Sequence, residues 1–137
     1  GLAGLRIGYG FSHETLINNL LKVKVPFEPS RLAQIAGLVA LDDTEFMNKT
    51  IKLNKIEKDK IELKLDELNI KRIPSATNFI TTYWGSKNNA KEITEKLLDK
   101  GIILRHLASF GWPEYVRISI GLEDENEYFV KNLEEII

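Results

Sequence analysis

With 137 residues, no cysteine and a formal net charge of -1, the chain offers no disulfide framework, no thiolate metal site and no cysteine nucleophile. Nor does it show the clustered basic excess of a dedicated nucleic-acid binder. Its 43% hydrophobic and 28% charged content is that of an ordinary globular domain large enough to bury a core. No apolar run approaches the ~20 residues that span a bilayer and no signal-peptide pattern opens the chain, so no membrane partner is expected. Cysteine-free composition fits a reducing, cytoplasmic compartment.

Gly1-Leu2-Ala3-Gly4-Leu5-Arg6-Ile7-Gly8-Tyr9-Gly10 is a glycine-rich turn running into an apolar segment, Leu5 to Phe11, that reads as a strand. Such a turn can aim backbone N–H groups at an anion, and Arg6 adds a planar fork of donors. The same pattern also describes a plain tight turn. It is neither a Walker loop nor a dinucleotide fingerprint, because the required spacings are missing. Ser12 is a candidate N-cap for a helix whose apolar residues are Leu16, Ile17, Leu20 and Leu21. Val23 to Ser30, with Pro26 and Pro29, breaks the pattern and is the expected connection between two bodies. Ser30 can then cap a second helix carrying Leu32, Ile35, Ala36, Val39 and Ala40.

Asp42 and Glu45 have capping-box spacing and open a long helix. Met47, Ile51, Ile61, Leu65 and Leu68 form its apolar edge, interrupted by Asn54 and Lys58. The Lys and Glu residues between Lys49 and Lys64 alternate in sign, as on a solvated face. Ile70–Ile73 and Thr77–Trp84 are strand-like, with Thr77, Phe79, Thr81 and Tyr83 on one side and Asn78, Ile80, Thr82 and Trp84 on the other. Asn78 is expected to tie its turn to the backbone. Ser86 caps a helix that stops at Gly101; Ile102–Arg105 and Val116–Gly121 are short strands; Glu123–Ile137 is a closing helix.

Arg6, Arg105 and Arg117 each sit in or at the end of an apolar segment. A guanidinium among Val116, Ile118 and Ile120 is costly to bury unless its fork meets an anion. A salt bridge to a local carboxylate such as Glu114, or a snorkelling surface position, would equally account for Arg117. Neither His13 nor His106 has a partner at metal-ligand spacing, so no metal site is expected and both read as surface or capping residues.

The segment Gly1–Tyr9 resembles the Gly-Leu-Ala-Gly-Leu-Arg-x-Gly-Tyr run of class I/II aminotransferases, in the histidinol-phosphate aminotransferase branch. Pro74-Ser75-Ala76-Thr77-Asn78-Phe79 is similar to their entry into the small-domain sheet. Gly101–Arg105 resembles their Gly-Ile-Ile-Leu-Arg, and Val116–Gly121 followed by Asn126 resembles their Arg-Ile-Ser-Ile-Gly-x-x-x-x-Asn. The matches lie in order along essentially the whole chain.

The resemblance implies a fold-type-I α/β protein in two parts: residues 1–41 ending the large, cofactor-binding domain and its connection, and residues 42–137 forming an α+β small domain. In it Arg6 would contact the phosphate of pyridoxal 5′-phosphate, Arg117 the substrate α-carboxylate and Arg105 the substrate phosphate. The Schiff-base lysine of the family motif would lie three positions before Gly1. The only methionine is Met47, so a fragment is expected, inactive alone, with no catalytic residue of its own. The intact enzyme is expected to be a homodimer acting on an amino donor and a 2-oxo acid. A pyridoxal-phosphate decarboxylase and a non-catalytic anion-binding module are the alternatives. Glu28 and His106 depart from the family pattern, where Asn and an acidic residue are common.

Overall fold

A computed structural model describes residues 1–137, and the chain divides into two compact units, Gly1–Asn48 and Lys49–Ile137.

The first unit holds a 3-10 turn at Ala3–Leu5, helices α1 (Glu14–Val23) and α2 (Arg31–Asp42), and the first turn of α3 (Thr44–Glu67). Each helix start is a local affair. His13 Nδ1 accepts from the Thr15 amide in place of the expected Ser12 cap, Ser30 Oγ accepts from Ala33, and Asp43 Oδ1 accepts from Phe46, one residue later than the expected Asp42. The Pro-rich segment expected to join two bodies instead lies inside this unit, between α1 and α2. Gly37 lets the Ile7 side chain lie close against α2, where an added Cβ would meet Ile7 Cδ1 at 2.9 Å. Among its helical residues only Ala33 is buried.

The expected strand at Leu5–Phe11 does not form. Arg6 takes a left-handed conformation, φ 54° and ψ 42°, as the cap of the 3-10 turn, and no strand lies beside the residues that follow. A lone extended segment has nothing to satisfy its backbone groups, so apolar content alone does not make it a strand.

The second unit is an antiparallel sheet of order β1-β2-β4-β3, comprising β1 (Arg72–Ile73), β2 (Phe79–Tyr83), β3 (Arg105–His106) and β4 (Tyr115–Ser119). Helices α4 (Lys87–Asp99) and α5 (Glu123–Ile136) and the rest of α3 complete it. Register pairs Ile80 with Ile118 and Thr82 with Val116, so these four share one face. That face packs against Ile61 and Leu65 of α3, Ala90, Ile93 and Leu97 of α4, and Phe129 and Leu133 of α5. Each of the larger of these side chains, the isoleucines, leucines and Phe129, contributes about 1.5–3 kcal/mol by leaving water. Ser86 caps α4 through Asn89, and Gly101 takes φ +79° just beyond it, as the sequence led us to expect.

Asn54 and Lys58, which interrupt the apolar edge of α3, have a job. The Asn54 amide donates to Thr77 O at 3.4 Å and the Lys58 ammonium donates to Ser75 O, so both hold the turn entering β2. The turn's own tie is Ser75, whose hydroxyl donates to Phe79 O at 2.6 Å; Asn78, expected in that role, contributes its carbonyl to the Ile120 amide. The charged face of α3 carries local pairs, including Lys55–Asp59 at 2.7 Å and Lys64–Glu67 at 2.6 Å.

Candidate anion-binding face

The other face of the sheet is built differently. Strand alternation sends Phe79, Thr81 and Tyr83 of β2, Tyr115 and Arg117 of β4 and Arg105 of β3 to this side. Arg105 and Arg117 are direct cross-strand partners, which sets their Cβ atoms about 4.5–5.5 Å apart. Two like charges in that position oppose one another. Neither guanidinium has a carboxylate within 4.0 Å, and Glu114, the candidate partner in the sequence, does not reach Arg117.

Arg117 is half-buried, its guanidinium carbon lies 5.2 Å from the Phe79 ring centroid, and its Nε is buried with no hydrogen-bond partner. An orphaned, buried, charged donor is expensive unless an anion completes it. The cation–π contact with Phe79 helps hold the guanidinium in place, and its planar fork suits bidentate contact with a carboxylate or phosphate. Beside the arginines runs an aromatic row, Tyr83–Tyr115 at 5.2 Å between centroids and Tyr115–Trp112 at 5.3 Å. Sequence reading found the arginines but not this row, because only the β2–β4 register tells which aromatics share a face with them.

His106 pairs with Val116 and so belongs to the covered side of the sheet; its Nε2 lies 2.7 Å from Pro113 O. Where the family pattern has an acidic residue, this chain has a loop-fastening histidine.

Arg6 is exposed, and its guanidinium makes one hydrogen bond, from Nη1 to Ala3 O at 3.1 Å. It has no carboxylate partner either, so most of its fork is free for an anion. Two amides of the turn, Leu5 and Arg6, donate within the turn to Leu2 O and Ala3 O. Those two amides are therefore taken, while the Arg6 guanidinium keeps most of its donors available.

A cluster that sequence reading missed lies at the end of β4. Glu57 of α3 is only 2% exposed. Its Oε1 pairs with Lys60 Nζ at 2.8 Å and its Oε2 accepts from Asn126 Nδ2 at 3.0 Å. The Lys60 bond, with help from Asn126, holds the Glu57 carboxyl below its ordinary value, against the opposing effect of burial. Lys60 also meets Glu123 at 2.7 Å, and the two carboxylates hold its ammonium charged far into the alkaline range. Within α3 nothing marks Glu57 out among its many charged neighbours; only the packing of α5 buries it.

Residues 1–133 match the family described as Aminotransferase class I and II. The chain belongs to that family. Histidinol-phosphate aminotransferase of Campylobacter jejuni is 43% identical over 137 residues, all of this chain and 37% of its own length. The enzyme of the same name from Nitratidesulfovibrio vulgaris is 40% identical, again over the whole chain and 36% of its own length. The crystal structure of histidinol-phosphate aminotransferase from Sinorhizobium meliloti, in complex with pyridoxal-5′-phosphate, superposes with a TM-score of 0.84 at 26% identity. It covers all of this chain, which spans 39% of that structure. The fold-type-I expectation and the aminotransferase resemblance both hold. This chain spans little more than a third of these relatives, so it represents a part of the aminotransferase architecture. No helix in it is long and apolar enough to cross a membrane.

Proposed function

We propose that this chain is part of a histidinol-phosphate aminotransferase and supplies its anion clamps. The observation that carries the reading is the Arg105–Arg117 couple: two guanidinia opposed across a strand pair, without counter-charge, one with a buried unpartnered Nε. A dianionic group relieves both the repulsion and the orphaned donor. Histidinol phosphate and glutamate each bring such anionic ends, and the reaction would be amino transfer from histidinol phosphate to 2-oxoglutarate, giving imidazole acetol phosphate and glutamate. Arg117 takes the α-carboxylate of the amino acid and Arg105 helps hold the substrate phosphate, each through its planar fork.

Residues 1–41 would end the large domain and its connection, and residues 42–137 would form the small domain. Pyridoxal 5′-phosphate supplies the electron sink when bound. This chain's Arg6 fits its phosphate, being a cation without an internal ion pair. The roles proposed for this chain's own residues are to bind and orient anionic groups, with Arg6 at the cofactor phosphate and Arg117 and Arg105 at the substrate's anionic ends. The intact enzyme would be a cytoplasmic homodimer.

The curated relatives named above bear the aminotransferase name, which favours this reading over a decarboxylase. Assaying the full-length polypeptide for glutamate formation from histidinol phosphate and 2-oxoglutarate tests it; release of carbon dioxide from a phosphorylated amino acid instead would overturn it. In the same assay Arg117→Lys should lower kcat/KM by about tenfold or more, because a point charge does not replace a bidentate fork.

A further inference from the structure

We infer that Asn126, held by the buried Glu57 carboxylate, is a positioning residue for Arg117. The inference rests on the anion-clamp reading for its functional meaning and on hydrogen bonds for its physical basis.

Strand β4 is unevenly supported. Along one edge β2 pairs with all five of its residues, and the Ile120 amide continues the ladder to Asn78 O. Along the other edge β3 reaches only Arg117 and Val116. Backbone groups alternate in direction along a strand, so if Ile120 points toward β2, Gly121 points toward the β3 edge. There Gly121 has no strand to meet. Instead the Asn126 side chain takes that place: its Oδ1 accepts from Gly121 N at 3.0 Å and its Nδ2 donates to Gly121 O at 3.0 Å. One side-chain amide thus supplies both bonds of a missing strand residue.

The orientation of that amide is fixed by Glu57. A carboxylate only accepts, so Nδ2 must face Oε2, and Oδ1 is left to face the Gly121 amide. The site is tight: a Cβ on Gly121 would meet Glu125 Oε2 at 2.6 Å and Asn126 Oδ1 at 3.4 Å. The line of control runs from the Lys60–Glu57 pair on α3, through Asn126 on α5, to the free end of β4 and back along the strand to Arg117. The segment of β4 between the β3 rungs and Gly121 is held at both ends on its open edge. Loosening Gly121 lets that edge retwist, and the guanidinium leaves its seat over Phe79.

The test uses the 137-residue chain in dilute solution, unaltered and as Asn126→Asp and Glu57→Gln. Asn126→Asp keeps the acceptor for Gly121 N but sets two carboxylates against each other and removes the donor to Gly121 O. Glu57→Gln lets the Asn126 amide turn over. Two readouts are followed by NMR: the Arg117 Nε–Hε resonance with its contacts to the Phe79 ring, without ligand, and the response of both arginines to inorganic phosphate. Asn126→Asp should shift the Arg117 resonance, weaken the Phe79 contacts and reduce phosphate affinity about fivefold, the size of one lost network interaction. Glu57→Gln should act in the same direction and less, and it carries the test if the first variant does not fold. The Trp84 indole N–H, bonded to Thr82 beneath the covered face, should stay in place, which separates repositioning from general loosening. An unmoved Arg117 signal alongside a displaced Gly121 amide would overturn the inference. If phosphate perturbs neither arginine in the unaltered chain, the anion reading is what fails, and the ligand-free Arg117 signal still decides the role of Asn126.

Discussion

The two units obey the same local rules and end in different places. Both start their helices with good caps, Ser30 in one and Ser86 in the other. In Lys49–Ile137, however, strands and helices close on a core with Leu65, Ile80 and Val116 fully buried, while in Gly1–Asn48 Leu16, Leu20, Leu21, Leu32 and Leu38 are exposed and Phe27 is 99% so. Amphipathic helices are half of a bargain with another surface, and the first unit shows what the helices look like with that half only.

The comparison can be broken most easily by core truncation. Leu65→Ala should cost about 2–5 kcal/mol in urea unfolding, whereas Leu20→Ala should stay within about 0.5 kcal/mol. Equal losses would mean that the first unit has a core of its own. The exposed leucines also predict concentration-dependent association of the isolated chain in sedimentation experiments, because contiguous apolar surface seeks cover. A clean monomer at all concentrations would count against that.

Acid should single out the second unit. Glu57 has its carboxyl lowered from the ordinary 4.5, chiefly by Lys60, so its contribution is complete above that value and is lost as pH falls through the lowered one. Stability measured by thermal melts should therefore drop on acidification in the unaltered chain. Glu57→Gln should flatten that part of the pH profile. The smallest effect distinguishes the caps: Ser86→Ala should lower the melt by about 1 kcal/mol, while Ser30→Ala, at an equally good cap, should leave the transition of the cored unit unmoved.

The three arginines could be singled out before the fold was known. Arg6, Arg105 and Arg117 stand out because charges inside apolar segments need a reason, and the reason is chemical rather than positional. The Phe79 seat, the aromatic row and the Glu57–Asn126 clamp were not legible. Each depends on which residues of distant segments come face to face, and Phe79 and Arg117 are 38 positions apart along the chain. Asn54 and Lys58 looked like flaws in an apolar edge because their partners, Thr77 and Ser75, lie across a turn that periodicity does not see.

By itself, the sequence determined the helices, the caps at Ser30 and Ser86, the alternation of β2 and β4, the stop at Gly101 and the membership of the aminotransferase family, all of which rest on local chemistry or ordered motifs. Tertiary structure alone decided three things: that Leu5–Phe11 is no strand, that Arg105 faces Arg117, and that Glu57 is buried. A strand needs a neighbour, a register needs two chains of hydrogen bonds, and burial needs a second surface, and none of these is a property of a segment taken singly.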